Sequence, residues 1–166
     1  GKFQGGADIE CPPRMFIGAA ANPFADPFEL RVARLAKKVK AGVDFIQTQC
    51  IYNVEKFAKW MEGVRDRGLD EKVAVLAGIT PMKTVGMAKY MKNRVPGMDV
   101  PDEIIKRMSG VPKEKQADEG IEICLETIAR LKEIKGVRGF HIMAIEWEQK
   151  VPEIVERAGL FPRPRI

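Results

Sequence analysis

Gln47, Thr48 and Gln49 close an apolar run that begins at Val43, and their side chains can only hydrogen-bond. A primary amide presents a donor and an acceptor together, which suits a heterocycle carrying adjacent N–H and C=O groups. An isolated Gln49 could equally cap the loop that follows, but beside Gln47 and Thr48 at the carboxyl end of a strand the binding reading moves ahead. His141 is the only histidine and lies between Phe140 and Ile142. A satisfied core imidazole is the commoner outcome there, with a second-line place in a site as the alternative. Arg31, Arg34, Lys37 and Lys38 fall on one helical segment; most read as surface charge, but those at its loop-facing end could hold a phosphate. Met82, Met87, Met91 and Met98 read as gap-filling core or as a deformable wall for a flat aromatic ligand. Glu146 and Glu148 could serve as acids or bases, yet they are equally good first-turn helix carboxylates.

The elements that must position these groups follow from periodicity and from turn chemistry. Residues 15–21 form a first apolar run of strand length, after a Gly- and Pro-rich lead-in. Asp26-Pro27-Phe28-Glu29 has the make-up of a helix start, with Asp at the N-cap and Pro at the first helical position. Phe28, Val32, Leu35 and Val39 then recur on one face until Gly42. The second strand is 43–49, followed by Asn53 as a cap and by a helix with Phe57, Met61 and Val64 on one face, ended by Gly68. The third strand is 72–77. Thr80 and Pro81 are expected to open the next helix, which runs to about Asn93. A turn-rich break over 95–101 leads to a short helix ended by Gly110. After Pro112, a longer helix places Ile121, Cys124, Ile128 and Leu131 together and stops at Gly136. The fourth strand is 139–145, and a last helix ends near Gly159, before Pro162 and Pro164.

Four strand-helix units whose strands are hydrophobic on both faces require a parallel sheet covered by helices. At about forty residues each, they make half of an eightfold (β/α) barrel of ~250 residues. The chain opens at Gly1 and reaches its first strand only after thirteen residues, so a piece of a longer barrel is the expectation. A small open sheet is the competing architecture, but no Gly-rich phosphate loop follows any strand. In either fold, ligands sit at the carboxyl ends of the strands, where the Gln47-Thr48-Gln49 tip falls.

Composition narrows the partners. With 45% hydrophobic and 31% charged residues, the 166-residue chain is read as a single domain, 1–166. The formal charge of +5 comes from cations scattered over helices, so solvated faces are expected, not a nucleic-acid surface. No uncharged apolar run approaches the ~18 residues of a membrane span, and no basic-then-apolar leader precedes the fold. A cytoplasmic protein without membrane contact is expected. Cys11, Cys50 and Cys124 lack CxxC spacing, which indicates neither a disulfide framework nor a metal site.

Several blocks in order resemble one family. Gly18-Ala19-Ala20-Ala21-Asn22-Pro23, the stretch from Leu35-Ala36-Lys37-Lys38-Val39 through Ala41-Gly42 to Gln47-Thr48-Gln49, Gly78-Ile79-Thr80-Pro81, Val95-Pro96 and Gly139-Phe140-His141-Ile142-Met143 look like methylenetetrahydrofolate reductase. The likeness covers nearly the whole chain. It implies the carboxyl-terminal half, strands five to eight, of a flavin-binding (β/α)₈ barrel. The implied reaction reduces 5,10-methylenetetrahydrofolate to 5-methyltetrahydrofolate in one-carbon metabolism and methionine biosynthesis, with FAD as cofactor and NAD(P)H or another electron donor.

By the same resemblance Gln49, with Thr48 beside it, matches the glutamine that contacts the pterin. Lys38 matches a basic residue on the FAD side, and Lys37 stands where an arginine is frequent. Asn22 falls where some members carry a flavin-contacting tyrosine, Met87 where some carry a folate-contacting glutamine, and Trp147 where some carry an arginine. His141 joins the substrate side as a second-line residue. The family's general-acid glutamate belongs to the first strand and its flavin-tuning aspartate to the fourth. No catalytic residue is therefore assigned in this chain, and an amino-terminal barrel half, or a homo-oligomer, is the expected partner. Two other readings remain: a pterin-binding methyltransferase barrel that passes its methyl group to a corrinoid, and a non-catalytic half-barrel that pairs through its sheet edges.

Overall fold

In the computed structural model, which describes residues 1–162, one parallel sheet runs β1 (Gly18–Ala21), β2 (Phe45–Cys50), β3 (Ala74–Ile79), β4 (Val137–Ile142), in that spatial order. Between and after the strands lie α1 (Leu30–Lys40), α2 (Val54–Asp66), α3 (Val85–Arg94), α4 (Asp102–Ser109), α5 (Gln116–Lys132) and α6 (Val151–Arg157). Neighbouring strands in sequence are neighbours in space, and right-handed crossovers then put every helix on the same side. That is a barrel sector. A doubly wound sheet would reverse its strand order and carry helices on both faces.

Burial along β2 follows this one-sided cover. Ile46, Thr48 and Cys50 are buried toward the helices, while Phe45, Gln47 and Gln49 alternate with them and are half-buried. The expectation of strands apolar on both faces is therefore corrected. One face packs under α1, α2 and α5 through Leu35, Phe57, Trp60, Met61, Ile128 and Leu131. The other carries the two glutamines and His141, which a continuous apolar run does not reveal. Truncating one of the packed aromatics, such as Phe57, costs about 3–5 kcal/mol.

Local capping sets most boundaries. The Asn53 side chain accepts from the Lys56 amide at 2.9 Å and starts α2, an interaction worth ~1 kcal/mol. Gly42 follows the cap of α1 at φ +92°, which only glycine adopts without strain; α5 stops at Lys132, earlier than the expected Gly136, which instead turns the chain into β4 at φ +96°.

Other boundaries moved. The first strand begins at Gly18, not at 15, because Ile17 pairs through the Asp44 carboxylate and backbone while Met15 and Phe16 stay exposed. α1 begins at Leu30 instead of after Asp26. The Asp26 and Pro27 carbonyls are engaged by the Arg31 guanidinium, and the preceding loop is anchored by buried Phe24. Thr80 opens no helix: it is buried beside Cys50, and Thr84 caps α3 by accepting from the Met87 amide at 3.1 Å. β4 lies at Val137–Ile142, two to three residues earlier than expected. Pro164 lies outside the described residues. No helix among them is long and apolar enough to cross a membrane.

Candidate functional site

A cavity of about 900 Å³ opens at the carboxyl end of the sheet, on its uncovered face, and extends along α1. That is a ligand-sized volume. Gln47, Gln49 and His141 line it from β2 and β4, Ala20 and Ala21 from β1, and Arg31, Arg34, Lys37 and Lys38 from α1. The in-register pairs Ala20↔Gln47 and Gly78↔His141 set the heights of these groups on the sheet. Helical spacing explains the rest, because positions 31, 34, 35, 38 and 41 recur every three or four residues and share one side of α1.

The cations differ in their freedom. The Lys38 ammonium donates to the Ala20 carbonyl and is held at the end of β1. Arg31 is engaged by the Asp26 and Pro27 carbonyls, whereas Arg34 and Lys37 are exposed. Asn22 organises its own loop: its Oδ1 accepts from the amides of Phe24 at 2.9 Å and Ala25 at 3.2 Å. It reaches the cavity wall from there.

Gln49 and Thr48 have separate tasks. The Gln49 Oε1 accepts from the Cys50 amide at 3.2 Å, and its NH₂ has no protein partner among the described residues. Thr48 is 3% exposed; its hydroxyl accepts from the Gly78 amide at 2.8 Å and donates to the Gln49 carbonyl at 3.0 Å. Thr48 thus forms part of the wall with its polar group already committed. Met87 is not brought to the cavity; it packs on α3 beside the second core cluster, around buried Met82, Met91 and Met108. Trp147 is buried after β4 with the Lys83 ammonium 5.6 Å from its ring, and Glu146 lies exposed at φ +50°.

Behind the site, the Cys50 Sγ and Thr80 Oγ1 are 2.9 Å apart, and the Tyr52 hydroxyl donates to the Thr80 carbonyl at 3.1 Å. Burial pushes the Cys50 thiol and the Tyr52 phenol above their ordinary values and the Cys124 thiol up to about 12. None of them is a nucleophile at neutral pH. No group of three or more acidic, histidine or cysteine side chains among the described residues could hold a metal ion. Gly78 is a site-shaping residue with a sequence signal of its own, since an isolated glycine near a strand end usually marks a bulge or a close backbone approach.

A family model described as methylenetetrahydrofolate reductase matches residues 13–159. The chain belongs to the methylenetetrahydrofolate reductase family. Methylenetetrahydrofolate reductase 2 of Schizosaccharomyces pombe is 30% identical over 135 residues, covering 78% of this chain and 21% of the relative. Methylenetetrahydrofolate reductase 2 of Saccharomyces cerevisiae is 28% identical over 155 residues, 88% of this chain and 25% of the relative. The chain therefore spans about a quarter or less of these curated reductases. A solved Clostridium thermocellum protein, described as binding two copies of 5-methyl-5,6,7,8-tetrahydrofolic acid, superposes with a TM-score of 0.62 at 15% identity. It is covered over 52% of its length by 87% of this chain. At that identity the likeness is one of fold.

Proposed function

We propose that this chain is a single domain, 1–166, supplying strands five to eight of a methylenetetrahydrofolate reductase barrel in the cytoplasm. It would carry much of the folate- and FAD-binding surface and act with an amino-terminal half that brings the general acid. The observation that carries this reading is the convergence of Gln49 and His141 with the α1 cations on one cavity. A heterocycle edge and a pyrophosphate need those two kinds of group.

The residues fit FAD as well as folate. Ala20, Ala21, Leu35 and Met143 give an apolar wall for a flat ring, and Lys37, Lys38 and Arg34 give charge for phosphates. FAD held here would, once reduced by NAD(P)H or another donor, supply the hydride that the methylene carbon of the folate accepts. Gln49 holds the pterin edge through its carboxamide, and His141 offers a second ring-nitrogen contact. Lys38, tied to Ala20, holds positive charge where β1 meets α1. Asn22 keeps the intervening loop in shape. Met87 and Thr48 act on the folate only through packing and backbone.

A barrel site is assembled from loops after several strands, so this chain alone should bind FAD weakly. Mixing it with the complementary four units should restore yellow flavin absorbance and oxidation of 5-methyltetrahydrofolate by an artificial acceptor. Tight stoichiometric FAD binding by the chain alone would refute the shared site. A reconstituted pair that stays colourless at saturating FAD would refute the flavoenzyme reading and favour the corrinoid-linked methyltransferase. A partner that assembles with the chain yet confers neither pterin nor flavin binding would favour the non-catalytic half-barrel.

A further inference from the structure

The ladder between β2 and β3 breaks where the cavity begins. Gln47 pairs with Leu76, but the next pair is Cys50 with Gly78, so three steps along β2 match two along β3. One extra residue is accommodated in β2, as in a β-bulge, and such a bulge re-aims the side chains beside it. Gln49 lies in this interval and is outside the regular pairing, so the ladder does not fix its direction.

The Thr48 hydroxyl fills that role. It is wedged between the strands, accepting from the Gly78 amide at 2.8 Å and donating to the Gln49 carbonyl at 3.0 Å. Gly78 is what admits it. A Cβ at position 78 would stand 2.9 Å from the Gln49 carbonyl oxygen and closer still to that of Thr48, contacts that real side chains do not make. Both residues therefore meet at the Gln49 carbonyl, and the N–H of the same peptide unit, that of Cys50, donates to the Gln49 Oε1 at 3.2 Å, so holding this peptide also holds the carboxamide that lines the cavity.

We propose that Thr48, with Gly78 as the glycine that admits the close approach, is a positioning residue that aims the Gln49 carboxamide at the pterin. The proposal rests on the reading of Gln49 as a folate contact and assigns Thr48 no contact of its own. Without the hydroxyl, the Gly78 N–H loses its acceptor and the Gln49 peptide loses its tether. The carboxamide then samples orientations that do not match the ligand, and affinity falls as though the amide had been removed.

A double-mutant cycle on the reconstituted protein, read as 5-methyltetrahydrofolate affinity, tests this. Thr48→Ala and Gln49→Ala should each weaken binding about tenfold, and the double variant should bind no worse than Gln49→Ala. Thr48→Ser should stay within about twofold of the parent. A ligand-free ¹⁵N spectrum supplies a second readout: Thr48→Ala should shift the Gln49 side-chain NH₂ pair, and Thr48→Ser should leave it in place. Full affinity in Thr48→Ala beside a weakened Gln49→Ala overturns the proposal, as do multiplying losses in the double variant. If Gln49→Ala binds normally, the folate-contact reading fails instead, and the NH₂ shift still decides whether Thr48 sets the Gln49 orientation. Should Thr48→Ala not fold, Thr48→Val enters the same cycle. If neither folds while Thr48→Ser does, the hydroxyl serves the fold and the proposal is overturned.

Discussion

The Asn22 carboxamide lies against Gly97, where a Cβ would stand 3.0 Å from the Asn22 Cγ and closer to its Nδ2. Gly97 itself has φ +77°. This contact locks the loop after β1, which lines the cavity, to the segment between α3 and α4. A loop that carries site residues is thus braced by a segment more than seventy residues away in sequence.

Replacing Asn22 by Ala removes the acceptor for two backbone amides and should cost about 1–2 kcal/mol of stability. Asn22→Asp keeps the acceptor and should cost less. Gly97→Ala introduces both a steric overlap and a strained φ, so it should exceed Asn22→Ala. Thermal melts of the three variants check the order, and a Gly97→Ala melt equal to the parent would refute the brace.

Lys38 and Lys37 should separate in flavin binding by the reconstituted protein. Lys38 is held in place by the Ala20 carbonyl, and a pre-organised charge loses less freedom on binding than an exposed one. Lys38→Met should weaken FAD by roughly tenfold and Lys37→Met by clearly less. Flavin fluorescence titration measures both, and equal losses would remove any special role for the tether.

Thiol chemistry should follow burial. Cys11 is exposed, whereas Cys50 and Cys124 are buried, with thiols that burial pushes upward. A disulfide-exchange reagent at neutral pH should modify one thiol in the folded chain and three in denaturant. Fast modification of a second thiol without denaturant would mean that the packing around β2 opens readily.

The Arg107 guanidinium spans Glu126 through bonds of 2.5 and 2.8 Å and also engages Glu119. It holds the Glu126 carboxyl below its ordinary value. A depressed carboxyl contributes stability above its unfolded value and loses that contribution as the pH falls through its folded value. Glu126→Gln should therefore lower the melting temperature slightly at pH 7 and converge with the parent only once the pH has fallen below the ordinary glutamate range. A difference that persisted unchanged in acid would point to packing instead of charge.

Among the described residues, β1 and β4 each leave one edge of the sheet unpaired, and one face of the sheet is uncovered. Unpaired edges template association. Sedimentation at roughly micromolar concentration should show the chain self-associating, with the complementary half suppressing it. A sharply melting monomer at the same concentration would count against a half-barrel.

Sequence alone determined the features that rest on contacts within one turn of chain. Asn53 as a cap, the glycines at 42 and 68 as helix ends, and the apolar stripes of α2 and α5 are all set between residues three or four apart. So was the polar tip of the second strand, because the switch from Phe45-Ile46 to Gln47-Thr48-Gln49 is visible in one dimension. Tertiary structure decided what depends on distant partners. Thr80 and Thr84 are equally good caps by type; β3 continues to Ile79 and buries Thr80 against Cys50 and Tyr52, thirty and twenty-eight residues away, which leaves Thr84 to start α3. The division of labour between Thr48 and Gln49 was likewise invisible, since it requires the Gly78 amide thirty residues on to reach the Thr48 hydroxyl. Local sequence fixes φ, ψ and caps because those energies are local, whereas the direction of a strand-end side chain is set by which strand lies beside it.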